Sequence, residues 1–255
     1  MNKRAKYITN WIHDYADEHK LSTLVIGISG GIDSSVVSTL CAETGLSTKV
    51  ISMPIHQNAE QNNLSGAHGE WLTTKYSNVT HSVINLDSVF EEFAGCFDSE
   101  DLLALANSRA RLRMTTLYQV AQMNNGLVVG TGNKVEDFGV GFYTKYGDGG
   151  VDISPIADCY KTQVWNMGRS LGVLQEIIDA APTDGLWDDG RTDEDQIGAT
   201  YKELEWAMKQ KDNKKTSRDF QDRQREVFDI LLKFNNQNSH KMNPIPIFKI
   251  PEDLK

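Results

Sequence analysis

Apolar and polar positions along this chain alternate between two periods. Tyr7, Ile8, Trp11, Ile12 and Tyr15 recur at spacings of three and four, which predicts an amphipathic helix within Met1–Lys20. The apolar run Leu21–Ile28 reads as a buried strand, followed by a helix from about Ile32 to near Gly45. Lys49–Met53 reads as a second strand, a polar helical stretch leads to a third near Val79–Leu86, and a long helix over Leu102–Asn124 feeds a fourth apolar run, Leu127–Val129. Strands alternating with helices predict an α/β fold, a doubly wound parallel sheet with helices on both faces. Ligands on such sheets sit beyond the carboxyl ends of the strands, where Ser29–Ser34 and Gly130-Thr131-Gly132 both fall.

Two stretches break the pattern. Lys209–Arg225 is almost wholly polar and reads as a solvated helix, a connection or a charged lid. Asn133–Ser154 holds Gly139, Gly141, Gly147, Gly149 and Gly150 around Phe142-Tyr143-Thr144-Lys145-Tyr146, which predicts a functional loop carrying aromatics and charge rather than a core element.

Composition narrows the function classes. At 255 residues and 39% hydrophobic content the chain reads as one domain, 1–255, with a single core. Its 26 Lys and Arg against 35 Asp and Glu give −9, which argues against broad binding to nucleic acid or anionic membranes. An anionic ligand must therefore meet local positive charge. No apolar window approaches a membrane span, so a cytoplasmic location is expected. Cys41, Cys96 and Cys159 are isolated and read as reduced thiols, and the six histidines show no zinc-ligand spacing.

The chemistry concentrates at Gly27-Ile28-Ser29-Gly30-Gly31-Ile32-Asp33-Ser34, directly after the apolar run Leu24-Val25-Ile26. Gly30 and Gly31 tolerate a tight turn and close approach of a ligand to backbone N–H groups, as a phosphate site requires. The same residues admit a plain strand-to-helix turn in which Ser29 or Ser34 caps the helix. The loop lacks the Gly-Lys-Ser/Thr ending of a Walker loop and the spacing of a dinucleotide fingerprint. Asp33 suits a helix first turn and, beside polyphosphate, offers Mg²⁺ an oxygen ligand.

Gly27–Ser34, the Asn107–Met114 helix with Arg109, Arg111 and Arg113, Gly130-Thr131, Thr144-Lys-Tyr-Gly-Asp-Gly-Gly-Val-Asp152, Lys161 and Pro182-Thr183 follow in order a pattern that resembles the ammonia-dependent NAD synthetases. These belong to the ATP pyrophosphatase (adenine nucleotide α-hydrolase) superfamily. Ser-Gly-Gly-x-Asp-Ser alone marks the superfamily; Thr-Lys-Tyr-Gly-Asp-Gly-Gly is the discriminating motif.

The resemblance implies a Rossmann-like fold, a homodimer, and ATP-dependent amidation of deamido-NAD to NAD through an acyl-adenylate, with AMP and pyrophosphate released. It implies that Gly27, Ile28, Ser29, Gly30, Gly31, Ile32, Asp33, Ser34, Thr131, Lys161 and Thr183 contact ATP, with Asp33 and Lys161 catalytic. Asp33 and Glu136 correspond to the Mg²⁺ carboxylates, and Arg111, Lys145, Asp152, His240 and Lys241 to the deamido-NAD contacts. The chain departs from the family's common Asp-His-Ala-Ala-Glu after Thr131, having Gly132-Asn-Lys-Val-Glu136-Asp137, and carries one extra residue before Lys145, so Asp137 competes with Glu136 as a metal ligand. The loop Gly185–Arg191 also differs.

With the match beginning near residue 21, there is no room for a glutaminase domain, and free ammonia is the expected donor unless a separate glutaminase supplies it. The rival readings are another adenylating ligase of the superfamily and a nucleotide-binding regulatory protein without turnover.

Overall fold

The computed structural model describes residues 1–56, 59–98, 101–183 and 192–255. Among them, β1 (Thr23–Gly27), β2 (Ser47–Ser52), β3 (Val79–Val83) and β4 (Gly126–Val128) form one parallel sheet in the order β3-β2-β1-β4. Central Val25 lies between Lys49 of β2 and Val128 of β4. A further parallel bridge joins Val129 to Ile153.

Successive residues of β1 face opposite layers, as the pleat requires. Leu24 and Ile26 pack in a core with α1 (Lys3–Glu18), α2 (Ile32–Glu43), α6 (Lys161–Leu171) and α7 (Gln175–Asp179). Val25 instead packs with Phe90 of α4 (Asp87–Ala94) and Leu117 and Ala121 of α5 (Leu102–Met123). Helices thus cover both faces. The helix α3 (Ala59–Lys75) contributes Leu72 to a smaller cluster with Ile28, Val50 and Val79. No helix among the described residues is long and apolar enough to cross a membrane.

Three expectations need correction. The stripe that buries α1 is Ala5, Thr9, Ile12 and Ala16, whereas Tyr7 and Trp11 are exposed; small residues allow close approach to α2, and the aromatics stay on the rim. Asn133–Ser154 is not all loop. Lys134–Val140 forms a π-helix, capped by the Asn133 side chain, that buries Val135 and Val140 against α9 (Tyr201–Asp212) and α10 (Asp222–Met242) in a second core. Lys209–Arg225 is not one element: α9 ends at Asp212, a short 3₁₀ turn spans Ser217–Asp219, and α10 starts at Asp222.

Candidate active site

The turn at the carboxyl end of β1 is held by its own serines. Gly30 sits at φ 87°, a left-handed conformation that favours glycine. The Ser29 N–H donates to Ser34 Oγ (3.2 Å), the Gly31 N–H donates to Ser29 Oγ (3.2 Å), and Ser34 Oγ donates to the Gly31 carbonyl (3.0 Å). Ser34 therefore stiffens the turn instead of capping α2, whose N-cap Gly31 provides no side-chain bond. Among the described residues no N-cap side chain satisfies the first-turn N–H groups of α2.

At the same end of the sheet three charges meet. Lys161, the first residue of α6, is buried; its Nζ donates to Asp33 Oδ2 (2.5 Å) and Glu136 Oε1 (2.7 Å). The two carboxylates keep 16% and 17% side-chain exposure, enough to be reached from one side. Asn133 Nδ2 donates to Asp33 Oδ1 (3.1 Å), and the Tyr201 hydroxyl donates to Glu136 Oε1 (2.6 Å). Burial pushes the Asp33 carboxyl above its usual range, with Lys161 only partly offsetting it. At Glu136 the same burial is outweighed by the charge and hydrogen bond of Lys161 and by the Tyr201 hydroxyl, so its carboxyl is lowered. Burial works against the Lys161 ammonium, but the two carboxylates outweigh it and raise its pKa. One cation faces two anions, leaving an excess negative charge in a partly desolvated niche.

The π-helix turns Glu136 and Asp137 in different directions. Glu136 joins Lys161, whereas Asp137 lies against Gly132, where any side chain would collide with its carboxylate. Asp137 lines a cavity of about 150 Å³ with Gly130, Tyr143, Asp148 and Ser154. Burial, then the neighbouring Glu136, raises its carboxyl well above the usual range. A wider groove of about 840 Å³ between Trp71 and Leu174 lies off this site and carries none of its chemistry.

A second polar patch joins the far end of the same helix. Arg111 Nη2 donates to the Lys145 carbonyl (3.3 Å), Lys145 Nζ donates to the His240 carbonyl (2.9 Å), and Lys241 Nζ donates to the carbonyls of Gly141 and Tyr143, the latter at 2.8 Å. Thr144 Oγ1 donates to Asn107 Oδ1 (2.6 Å), tying the Thr144–Asp152 motif to α5. Arg111, Lys145, His240 and Lys241 are thus brought together. Asp152 stands apart, accepting from the Tyr118 hydroxyl (2.9 Å) and the Val128 N–H (2.8 Å). Arg111 is exposed, but Arg109 and Arg113 do not form a solvated face: Arg109 lies over the Phe90 ring, and Arg113 Nε donates to the Met53 carbonyl (2.9 Å). Burial and then Arg109 lower Arg113 to about 10. Thr131 follows β4 and is half-buried; Thr183 is exposed, and the Gly185–Arg191 loop lies outside the described residues.

Sequence reasoning missed Asn133, Tyr201 and Asp193, the last a second partner of the Tyr201 hydroxyl at 3.2 Å. Asn133 was legible as a cap, since Asn before a helix accepts first-turn N–H groups. Nothing near Tyr201 in the chain announces a partner 65 residues away.

A parallel sheet wound on both faces, with a glycine turn and a buried lysine between carboxylates at its carboxyl edge, defines a nucleotide-type α/β protein of the ATP pyrophosphatase kind. Residues 4–245 match the sequence model of NAD synthase, and the chain belongs to that family. It is 36% identical over 96% of its length to an NH(3)-dependent NAD(+) synthetase of Sulfurisphaera tokodaii, covering 88% of that protein. It is 39% identical over 80% of its length to the protein of the same name from Carboxydothermus hydrogenoformans, covering 83% of it. Among solved structures, NMN synthetase from Francisella tularensis superposes with a TM-score of 0.85 at 32% identity over 98% of both chains.

Proposed function

We propose that this protein is an ammonia-dependent ligase that converts deamido-NAD to NAD at the expense of ATP. The observation that carries the reading is Lys161 held between Asp33 and Glu136 beside the uncapped turn of β1. A nicotinate carboxylate is a poor acyl donor, so activation precedes amidation. A carboxylate oxygen attacks the α-phosphorus of ATP and the α–β bridging bond breaks, giving acyl-adenylate and pyrophosphate. The nitrogen lone pair of ammonia then attacks the acyl carbon, AMP leaves with the bridging oxygen, and a proton passes from nitrogen to solvent.

In this reading Gly27–Ser34, Thr131 and Thr183 hold ATP, and Lys161 offsets charge that develops on the departing pyrophosphate. Among the described residues no cluster of three or more His, Cys, Asp or Glu is placed for a metal. Two carboxylates converging on one cation nonetheless suit Mg²⁺, which binds through one or two carboxylates and completes its shell with phosphate and water. Asp33 and Glu136 would hold it, and it would supply further neutralisation of the polyphosphate. Arg111, Lys145, His240 and Lys241 are assigned to deamido-NAD, and Asp152 through lone pairs that Tyr118 and Val128 leave unused. The chain is read as a single domain that pairs as a homodimer and works in the cytoplasm, where its free Cys41, Cys96 and Cys159 stay reduced.

A second reading concerns substrate length. The strong likeness to an NMN synthetase structure favours testing nicotinate mononucleotide as the acceptor. Purified protein supplied with Mg²⁺, ATP and ammonium is given either deamido-NAD or the mononucleotide, and products are separated. Amidated dinucleotide with AMP and pyrophosphate is expected; a higher kcat/KM for the mononucleotide transfers the assignment, and ATP consumption with neither acceptor under varied conditions overturns it.

A further inference from the structure

Two neutral side chains hold the carboxylates of the charged site. The Tyr201 hydroxyl donates to Glu136 Oε1 (2.6 Å), and the Asn133 amide donates to Asp33 Oδ1 (3.1 Å). Each donor takes one oxygen of its carboxylate. Lys161 Nζ reaches that same Oε1 of Glu136 and the other oxygen, Oδ2, of Asp33. Glu136 Oε2 therefore receives neither the Lys161 nor the Tyr201 bond.

The two donors are themselves fixed. Tyr201 is buried at the start of α9, behind the Thr200 cap; its N–H donates to Glu194 Oε1 (2.7 Å), and its ring meets Trp165 edge-on at 5.7 Å. The Lys161 ammonium lies over the same ring, 5.0 Å from its centre. The hydroxyl has one proton for two carboxylates, and Glu136 at 2.6 Å is nearer than Asp193 Oδ2 at 3.2 Å. Asn133 is fully buried, and its Oδ1 accepts the Val135 and Glu136 N–H groups (3.0 and 3.2 Å), so the cap of the π-helix leaves its amide nitrogen turned to Asp33. Lys161, by contrast, is a charge on a flexible stem that is free to turn to an arriving phosphate. Asn133 and Tyr201 belong to the packed frame and stay.

A carboxylate with one oxygen tied to a fixed donor offers a cation its other oxygen alone. Mg²⁺ suits that supply, because it is small, octahedral, and fills its shell with phosphate and water beside one or two carboxylates. Ca²⁺ takes roughly six to eight oxygens and gains from carboxylates that open both of theirs. We propose that Tyr201 and Asn133 are positioning residues that hold Glu136 and Asp33 to one cation-facing oxygen each, and so select Mg²⁺ over Ca²⁺. They act through the carboxylates, as hydrogen bonds behind a ligand set commonly do. The proposal rests on the reading that Asp33 and Glu136 hold the metal of an ATP site.

The test uses the full-length chain with Mn²⁺ and an ATP analogue whose α–β bridge is methylene, so that no turnover occurs. Free Mn²⁺ is read by electron paramagnetic resonance while Mg²⁺ or Ca²⁺ is added to displace it, which gives the preference for one over the other. Tyr201→Phe keeps the ring and loses the hydroxyl; Asn133→Ser keeps a capping oxygen and loses the amide, so either carries the test if the other fails to fold. A preference for Mg²⁺ that drops about tenfold, because Ca²⁺ binds more tightly, supports the proposal. A general loosening of the site would weaken both ions and leave the ratio alone, and a ratio within about twofold of the native one overturns the proposal. Glu136→Gln separates the two failures. Weaker Mn²⁺ binding there, with the ratio unchanged in the other variants, removes the positioning role and leaves the metal reading; undiminished Mn²⁺ binding overturns both.

Discussion

Helix α2 takes part in two buried polar clusters built on opposite terms. In its first turn Asp33 meets Lys161 and, through it, Glu136: three formal charges with a negative excess. Five residues later, Ser38 bonds His68 Nε2 at 2.9 Å, and His81 nearby bonds Ser52, which bonds Ser65, each at 2.9 Å. This second cluster is neutral. Burial, and then His81, hold His68 down to about 4, so it carries no charge at pH 7. A neutral cluster exchanges most water partners for protein partners at modest net cost, with the buried His68 Nδ1 left without a hydrogen bond. Desolvating two carboxylates and one ammonium is costly and seldom adds stability over apolar packing. The expensive arrangement fits the site proposed for a charged ligand, and the cheaper one a place where only packing is needed.

The comparison breaks most readily at Lys161. Lys161→Met should lower kcat by on the order of 10²–10³ and destabilise the fold by roughly 3–5 kcal/mol, because it strands two carboxylates; steady-state kinetics and denaturant melts measure each. His68→Gln, by contrast, should leave kcat within about twofold, and a large loss there would dissolve the distinction. Glu136→Gln sharpens it: removing one anion balances the remaining Asp33–Lys161 pair, so activity should fall about 10²-fold while the melting temperature holds or rises, the trade of stability against function.

Next in size is a pH effect. His68 has a folded value near 4, below its usual 6.5. Between those values the unfolded chain binds the proton and the folded chain does not, so stability present above pH 6.5 is lost as pH falls toward 4, by up to ~3 kcal/mol. Urea melts across that range should show the loss in the native chain and a shallower one in His68→Gln. The smallest effect belongs to Arg223→Ala. Its pair with Glu203 is close at 2.8 Å and holds that carboxyl down to about 2, yet Arg223 is exposed and screened by solvent, so urea melts should show a loss too small to resolve.

The charged cluster was largely legible in the sequence and the neutral one was not. Asp33 follows from the glycine turn after β1, whereas Glu136 and Lys161 were legible only through their place in the family pattern. His68 and His81 stand in unremarkable polar stretches, and only the pairing of β3 with β2 and the seating of α3 bring them to serines of α2 and β2. The π-helix escaped for a related reason: a glycine-rich stretch looks like loop until Val135 and Val140 find their core. Aromatic Tyr7 and Trp11 misled because size outweighed position; Ala5 and Ala16 do the packing.

The proposed chemistry has this site cleave ATP between its α and β phosphates to adenylate a carboxylate. The most direct measurement is transfer of label: deamido-NAD bearing ¹⁸O in its nicotinate carboxylate is turned over with ATP, Mg²⁺ and ammonium, and the products are weighed by mass spectrometry. One ¹⁸O is expected in AMP and none in pyrophosphate. Label found in phosphate or pyrophosphate, with AMP unlabelled, would contradict it.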